Sequence, residues 1–272
     1  MTTEELRKKA RQLRRDVAAM IGLEKVGHLG GSCSLADIVT ALYYQVMRLR
    51  PYEPSWEDRD RFLLSKGHAA LIQYAALGDL GYFPRGEEAT LKTLGSRLQG
   101  HPDMRKLPGI EANTGSLGQG LSIAAGMAAG LKLDGRDARV YCCVGDGEQA
   151  EGQIWEAAMA AAAFKLDHLT AIVDVNGLQA TGAVKDRFDT RPYKEKWESF
   201  GWNVVEVDGH DMDDILRGLY AAHETAGKPT VLLARTVKGK GFSFAENVVG
   251  FHNGAMTKEQ YEKAMAECGV SV

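Results

Sequence analysis

Residues 140–181 read VYCCVGDGEQAEGQIWEAAMAAAAFKLDHLTAIVDVNGLQAT, and this stretch decides the fold of the 272-residue chain. An apolar run that stops at glycines predicts a strand, the Ala-rich residues 154–164 predict a helix, and a second apolar run predicts another strand. Such a crossover makes the two strands parallel. Asp146 and Asn176 then lie at the carboxyl ends of parallel strands, where open α/β sheets bind their ligands.

The residues at these two strand ends have the chemistry of a cation site. Asp146 offers a carboxylate oxygen, Asn176 an amide oxygen, and Leu178 a backbone carbonyl. Three such oxygens suit Mg²⁺ or Ca²⁺, and Mg²⁺ takes its remaining ligands from phosphates and water. The helix expected after Gly147 would direct its first amide groups at the same place, which favours phosphate. The residues therefore predict a metal-bridged diphosphate site.

Charge and composition limit the classes of protein to which this chain can belong. The net charge is −3 with mixed signs along the chain, which argues against nucleic acid or a membrane surface as the main partner. No apolar run approaches the length of a membrane span, and the N-terminus does not resemble a signal peptide. The four cysteines form no Cys-x-x-Cys pair and are interpreted as buried thiols in a reducing compartment. We therefore expect a cytoplasmic protein.

The rest of the chain alternates strand and helix patterns without a linker or an internal repeat, so residues 1–272 are predicted to form a single α/β domain. Its mostly parallel sheet should be flanked by helices on both faces. A capping box of Thr2 and Glu5 predicts the first helix. The glycine-rich residues 27–34 are predicted to be a loop, with Ser34 capping the helix that follows.

Histidines are the other recurring feature. Five of the seven stand in predicted loops beside Gly or Pro, and the loops that follow parallel strands gather at one edge of the sheet. Histidines collected there can donate to phosphate or move protons near neutral pH. The paired spacing of a zinc site is missing from the sequence. The five are His28, His68, His101, His210 and His252.

The motif Gly-Asp-Gly followed by Asn about 30 residues later resembles the thiamine diphosphate fingerprint. Together with five further motifs in order, it resembles the amino-terminal half of transketolase, and the resemblance covers nearly the whole chain. The motifs are Gly27-His28-Leu-Gly-Gly, Ser65-Lys-Gly-His68, Gly100-His101-Pro, Thr114-Gly-Ser-Leu-Gly-Gln-Gly120, Gly145-Asp-Gly-x-x-x-Glu151-Gly152 and Asp208-Gly-His-Asp.

This resemblance implies a role for each matching residue. It implies that Asp146, Asn176 and the Leu178 carbonyl hold Mg²⁺, and that Gly147, His68 and His252 contact the diphosphate of thiamine diphosphate. Gly115 and Leu117 match the loop that meets the aminopyrimidine, and Glu151 matches a glutamate at the subunit interface. His28, His101 and His252 match the histidines around the sugar carbonyl and hydroxyls. The family usually has Gly directly after the last histidine, whereas Asn253 follows here, so the register of His252 stays open.

In transketolases a second domain supplies the walls of the pyrimidine site. This sequence has no stretch for it, so the resemblance implies a dimer of two-chain units, each with a separate carboxy-terminal subunit. The implied reaction moves a two-carbon ketol unit from a ketose phosphate to an aldose phosphate, in the pentose phosphate pathway or a specialised sugar route. Two alternatives stay open: a subunit of another thiamine diphosphate enzyme, such as a 2-oxo acid dehydrogenase or deoxyxylulose phosphate synthase, and a non-catalytic cofactor-binding half.

Overall fold

The computed structural model describes residues 1–23 and 25–269. Its strands are β1 (Arg61–Leu64), β2 (Val140–Gly145), β3 (Leu169–Val175), β4 (Leu178–Gln179), β5 (Gly182–Ala183), β6 (Asn203–Asp208) and β7 (Thr230–Arg235). Its α-helices are α1 (Thr3–Ile21), α2 (Leu29–Ser34), α3 (Ala36–Ala41), α4 (Ala70–Asp79), α5 (Gln119–Leu133), α6 (Gly152–Ala163), α7 (Val184–Arg187), α8 (Tyr193–Ser199), α9 (Met212–Glu224) and α10 (Lys258–Glu267).

The five main strands form one sheet in the order β1-β2-β3-β7-β6, and every neighbouring pair is parallel. The predicted β–α–β crossover is therefore confirmed as β2, α6 and β3, with Gly145 beside Asp174 in the register. Because all strands run the same way, their carboxyl ends share one edge. The predicted fold class, a mostly parallel sheet with helices, is confirmed.

Each face of the sheet is covered by its own helical layer and its own apolar core. Helices α1, α3, α4 and α9 pack over one face, and α5, α6 and α8 over the other. The adjacent cysteines show the division directly, because side chains alternate along a strand: Cys143 belongs to the first core and Cys142 to the second. Both thiols are buried and free.

The predicted loop at residues 27–34 is wrong in most of its length, because Leu29–Ser34 forms helix α2. Ser34 does not cap the next helix: its hydroxyl donates to the Gly31 carbonyl and, over 2.6 Å, to Asp174. The physical reason is tertiary packing. A Cβ at Gly30 would lie 2.9 Å from both the Lys238 stem and the Phe251 carbonyl. The glycines therefore serve close packing rather than loop formation.

The turn after Asp146 also differs from the prediction. A short 3₁₀ turn, Gly147–Ala150, follows the aspartate, and helix α6 begins only at Gly152. The amide groups expected from a long helix at this place come instead from a single tight turn. No helix in residues 1–23 and 25–269 has the length and apolar composition that a membrane crossing requires.

Candidate active site

A cavity of about 380 Å³ opens at the carboxyl edge of the sheet. All of the predicted site residues except Glu151 line it. Glu151 is exposed outside the cavity, at the residue that precedes helix α6. Three charged residues that had no predicted role also face the cavity: Lys66, Glu148 and Lys238.

One wall of the cavity carries the three predicted metal ligands. The buried carboxylate of Asp146 accepts hydrogen bonds from the Gly147 amide over 2.8 Å and the Gly177 amide over 2.6 Å. The Asn176 amide oxygen accepts from the Leu178 amide over 3.0 Å. The Leu178 carbonyl accepts from the Lys238 ammonium over 2.9 Å. All three residues line the same cavity, and each of these oxygens is in contact with a donor.

A buried ion pair lies behind this wall. Asp174 is fully buried and accepts from the Lys66 ammonium and from the hydroxyls of Ser34 and Thr236. Burial alone would raise the pKa of Asp174, but the Lys66 charge and these hydrogen bonds lower it. The same carboxylate accepts from the Asn176 side-chain amide over 2.8 Å. This contact directs the N–H₂ group of Asn176 to Asp174 and leaves its oxygen to accept from the Leu178 amide.

The electrostatics of Asp146 favour a cation. Burial raises the pKa of Asp146 to about 6, and the nearby negative charge of Asp174 adds to the effect. A buried carboxylate of this kind is stabilised by a positive ion in contact with it. In the described part of the chain no cluster of three His, Cys, Asp or Glu side chains has metal-site geometry. The donor set is one carboxylate with amide and carbonyl oxygens, which suits Mg²⁺ or Ca²⁺ better than zinc.

Four histidines meet in the same cavity. The ring centre of His28 lies 5.2 Å from that of His68, 6.1 Å from that of His101 and 5.5 Å from that of His252. The rings of His68 and His252 are 4.9 Å apart. His252 thus reaches the cavity although Asn253 follows it, and its Nδ1 lies 2.8 Å from the Lys238 ammonium.

His210 does not join this cluster, so the expectation that all five loop histidines gather is wrong for that residue. Its Nδ1 lies 2.8 Å from Asp37, and its Nε2 accepts from the Val237 amide. Asp37 also forms a buried ion pair with Arg14. A buried ion pair needs further hydrogen bonds to its remaining lone pairs, and His210 supplies one.

The four clustered histidines are held in the neutral form. Burial lowers the pKa of His28 to about 4, with His252 and Lys92 adding to the effect. Burial followed by the Lys238 charge lowers the pKa of His252 to about 4. Burial and Lys66 lower the pKa of His68 to about 2, and burial lowers that of His101. At pH 7 these rings can each offer one N–H donor and one nitrogen acceptor.

This neutrality predicts a loss of stability in mild acid for the chain without cofactor. The ordinary pKa of 6.5 for His28 and His252 applies when the chain unfolds, so the unfolded state binds more protons between pH 6.5 and about 4. Stability therefore rises with pH in that window and is lost as the pH falls through it. Urea unfolding at pH 7 and pH 5 measures the difference.

Asp146 has the opposite effect on the pH dependence of stability, because its raised pKa lets the folded state bind a proton at a higher pH than the unfolded state does. A variant with both His28→Gln and His252→Gln should consequently lose part of the acid sensitivity between pH 7 and pH 5, while His68 and His101 retain the rest. An unchanged pH dependence in this variant would contradict the proposed neutral cluster.

Gly115 explains why the second glycine-rich segment needs its composition. Its φ is +134°, and a Cβ there would lie 2.5 Å from the ring of His101. Only glycine satisfies both the backbone conformation and the approach to the ring. This segment therefore presents bare backbone to the cavity next to a histidine.

Residues 4–271 match the family described as transketolase, thiamine diphosphate binding domain. The chain belongs to the transketolase family. It is 43% identical over 263 residues to a 6-deoxy-6-sulfo-D-fructose transketolase subunit of a Clostridium species, covering 97% of this chain and 96% of that one. It is 42% identical over 267 residues to an apulose-4-phosphate transketolase subunit of Phocaeicola vulgatus, covering 98% and 95%.

Solved transketolase structures share the fold. The Campylobacter jejuni transketolase superimposes with a TM-score of 0.92 at 32% identity, and the Leishmania mexicana transketolase with 0.90 at 30%. Both matches cover the whole of this chain but only 44% and 42% of those chains. This chain thus spans about two fifths of the length of these two solved transketolases, and nearly all of the two transketolase subunits named above.

The sequence interpretation missed four charged residues of this transketolase site. Lys66 stands inside the quoted motif Ser65-Lys-Gly-His68, and Asp174 stands two residues before Asn176. Glu148 follows Gly147 directly, and Lys238 follows strand β7. Their positions at strand ends were a usable signal, because polar residues there reach the ligand edge. Their pairing partners were not visible in the sequence.

Proposed function

We propose that this chain is the thiamine diphosphate-binding subunit of a two-chain transketolase, which transfers a two-carbon ketol unit from a ketose phosphate to an aldose phosphate. The observation that supports it most is the cavity at the sheet edge, which is lined both by the oxygen ligands, called the oxygen wall, and by four neutral histidines, called the histidine wall. Two relatives matched over nearly their whole length are named as transketolase subunits, which supports a partner chain.

The oxygen wall fits the metal and the diphosphate. Asp146, Asn176 and the Leu178 carbonyl would hold Mg²⁺, or Ca²⁺ in its place. The Gly147 amide, His68 and the Lys238 ammonium would contact the diphosphate, since a tight turn of amides and a cation both favour phosphate. The backbone of Gly115 and Leu117 would meet the aminopyrimidine. When bound, thiamine diphosphate supplies the carbanion and the electron sink for carbon–carbon cleavage.

The histidine wall would handle the sugar. His252 Nδ1 accepts from the Lys238 ammonium. Its Nε2 therefore carries the proton and can donate to a sugar oxygen. His28 and His101 flank it as neutral rings that would orient the ketose carbonyl and hydroxyls and relay protons. The exposed Glu151 would lie at the interface between subunits, in a dimer of two-chain units.

The remaining parts of the proposal concern the domain, the cellular location and the sugar donor. Residues 1–272 would form one thiamine diphosphate-binding domain, and the pyrimidine-binding domain would be on the partner chain. The free cysteines favour a reducing compartment, which supports a cytoplasmic location. The donor would be an open-chain ketose phosphate or a related anionic ketose, of the pentose phosphate type or of a specialised route.

The deciding experiment is reconstitution. Affinity capture from the native cells would identify the carboxy-terminal partner, and ketol transfer would be measured with either chain alone and with both chains, Mg²⁺ and thiamine diphosphate. A ketose phosphate and pyruvate would be compared as donors. We expect turnover only with both chains and only from the ketose.

Turnover by this chain alone would overturn the requirement for a partner. Release of carbon dioxide from pyruvate would assign the chain to another class of thiamine diphosphate enzyme. Cofactor binding without turnover of any ketose would favour a non-catalytic half.

A further inference from the structure

Glu148 is a buried carboxylate at the floor of the cavity, with 3% of its surface exposed. One of its oxygens, Oε1, accepts from the Ser65 hydroxyl over 2.5 Å and from the Gly118 amide over 2.9 Å. The other, Oε2, accepts from the Gly145 amide over 2.9 Å. The Ser65 hydroxyl itself accepts from the Gly120 amide over 3.2 Å. A single carboxylate therefore ties together three segments.

Each of these three segments carries part of the proposed cofactor site. The segment of Ser65 continues to His68, and the segment of Gly145 continues to Asp146. The segment of Gly118 begins with the backbone proposed to meet the aminopyrimidine. The partners of Glu148 lie 83 residues away at Ser65 and 30 residues away at Gly118. The segments of Ser65 and Gly145 are already joined by the pairing of β1 with β2, which continues to the Ser65 amide donating to the Cys143 carbonyl over 2.8 Å. The segment of Gly118 belongs to no strand, so Glu148 is its direct link to the other two.

We propose that Glu148 is a positioning residue, which sets the separation between the loop that meets the aminopyrimidine and the groups that hold the diphosphate. These groups, the Gly147 amide, His68 and Lys238, are called the cradle below. The inference rests on the proposed function, because the two ends of the cofactor must reach both segments at once. The mechanism is hydrogen bonding alone, since an ionised carboxylate accepts at both oxygens and all of its neighbours here are donors.

The variant Glu148→Gln tests this with the least change of shape. Glutamine keeps one acceptor oxygen and replaces the other with an N–H₂ donor. Whichever way the amide turns, either the Gly118 or the Gly145 amide loses its acceptor and faces another donor. The segments are then free to separate, whereas the outline of the side chain is unchanged.

Asp60 provides a matched control in the same chain. It is also a buried carboxylate, with 2% exposed, and its two oxygens accept from the Arg48 and Arg139 amides over 2.8 Å each. It precedes β1 and therefore lies at the opposite edge of the sheet from the cavity. Asp60→Asn likewise leaves one backbone amide unpaired, and it also removes the ion pair of Asp60 with the Arg48 guanidinium, but both changes lie far from the cofactor segments.

Calorimetry on this chain reconstituted with its partner, in the presence of Mg²⁺, gives the dissociation constants of thiamine diphosphate and of inorganic pyrophosphate. The measured quantity is the first constant divided by the second. Pyrophosphate needs only the cradle, so damage confined to the cradle weakens both ligands equally. Loss of separation between the segments weakens thiamine diphosphate alone. We expect Glu148→Gln to raise the ratio about tenfold, the usual effect of one unpaired buried donor. Asp60→Asn should lower the melting temperature and leave the ratio unchanged.

An unchanged ratio in Glu148→Gln would overturn the inference and leave the proposed function standing. A wild-type complex that binds pyrophosphate but not thiamine diphosphate would overturn the proposed function itself. If Glu148→Gln does not fold, Ser65→Ala supplies the second test, because it removes the bridge between Glu148 and the Gly120 amide. Its ratio should rise in the same direction by a smaller factor, and a ratio equal to wild type would again overturn the inference.

Discussion

Replacing Asp146 with alanine is expected to abolish Mg²⁺-dependent binding of thiamine diphosphate, with a loss of affinity of at least about 100-fold. Asp146 is the one carboxylate in the proposed ligand set, and hard divalent cations depend on anionic oxygens. Without it, the ammonium of Lys238 remains beside the Leu178 carbonyl and would repel the metal. The substitution therefore removes the attraction and leaves the opposing charge in place.

Asp146→Asn makes the same test with less disturbance, because its one amide oxygen still accepts from either the Gly147 or the Gly177 amide, whereas alanine leaves both unpaired. Calorimetry with Mg²⁺ and with a chelator measures the effect, and the exposed Asp189→Ala serves as the control. Mg²⁺-dependent affinity equal to wild type in both Asp146 variants would refute the metal assignment.

His101→Ala is expected to lower turnover by a factor on the order of 10² to 10⁴, which is the usual contribution of a positioned acid or base. Cofactor affinity should change far less. The ring of His101 lines the cavity beside Gly115 and 6.1 Å from His28. It is not among the residues proposed to hold the metal or the diphosphate, so we expect it to act on the sugar.

The comparison requires both kcat for ketol transfer and the cofactor dissociation constant, measured with the partner chain present. His223→Ala is the matched control, because His223 pairs with the hydroxyl of Tyr141 over 2.6 Å and does not line the cavity. It should leave kcat near wild type. Equal losses in kcat and in cofactor affinity for His101→Ala would assign that residue to cofactor binding instead.

Much of the architecture could be predicted from local patterns. The strands β2 and β3, the crossover between them and the capping box of Thr2 and Glu5 all appear where apolar runs, Ala-rich residues and cap residues stand in the sequence. The exceptions arise where tertiary packing outweighs local helix propensity. Helix α2 contains Gly30, which is a weak helix former, and only close packing against Lys238 and Phe251 accounts for it.

The site residues also divide into those that local sequence patterns predict and those that only tertiary contacts position. The oxygen ligands and His68 stand at predicted strand ends, so the parallel sheet alone brings them to one edge. His28 and His101 follow no strand directly and reach the cavity through the packing of their loops. His210 was diverted from the other histidines by Asp37, which lies 173 residues earlier in the chain. Asp37 in turn pairs with Arg14 on another helix. No spacing in the sequence indicates such a partner.

By itself the sequence determined the parallel sheet, the edge that carries the cavity and the family, because these depend on periodicity and on motifs within short stretches. The tertiary structure alone decided which charges support the site. Lys66 meets Asp174 across 108 residues, and Glu148 meets Ser65 across 83. The reason is that burying a charge is costly unless a partner is in contact. That partner is set by the folded arrangement of the segments, not by their order in the chain.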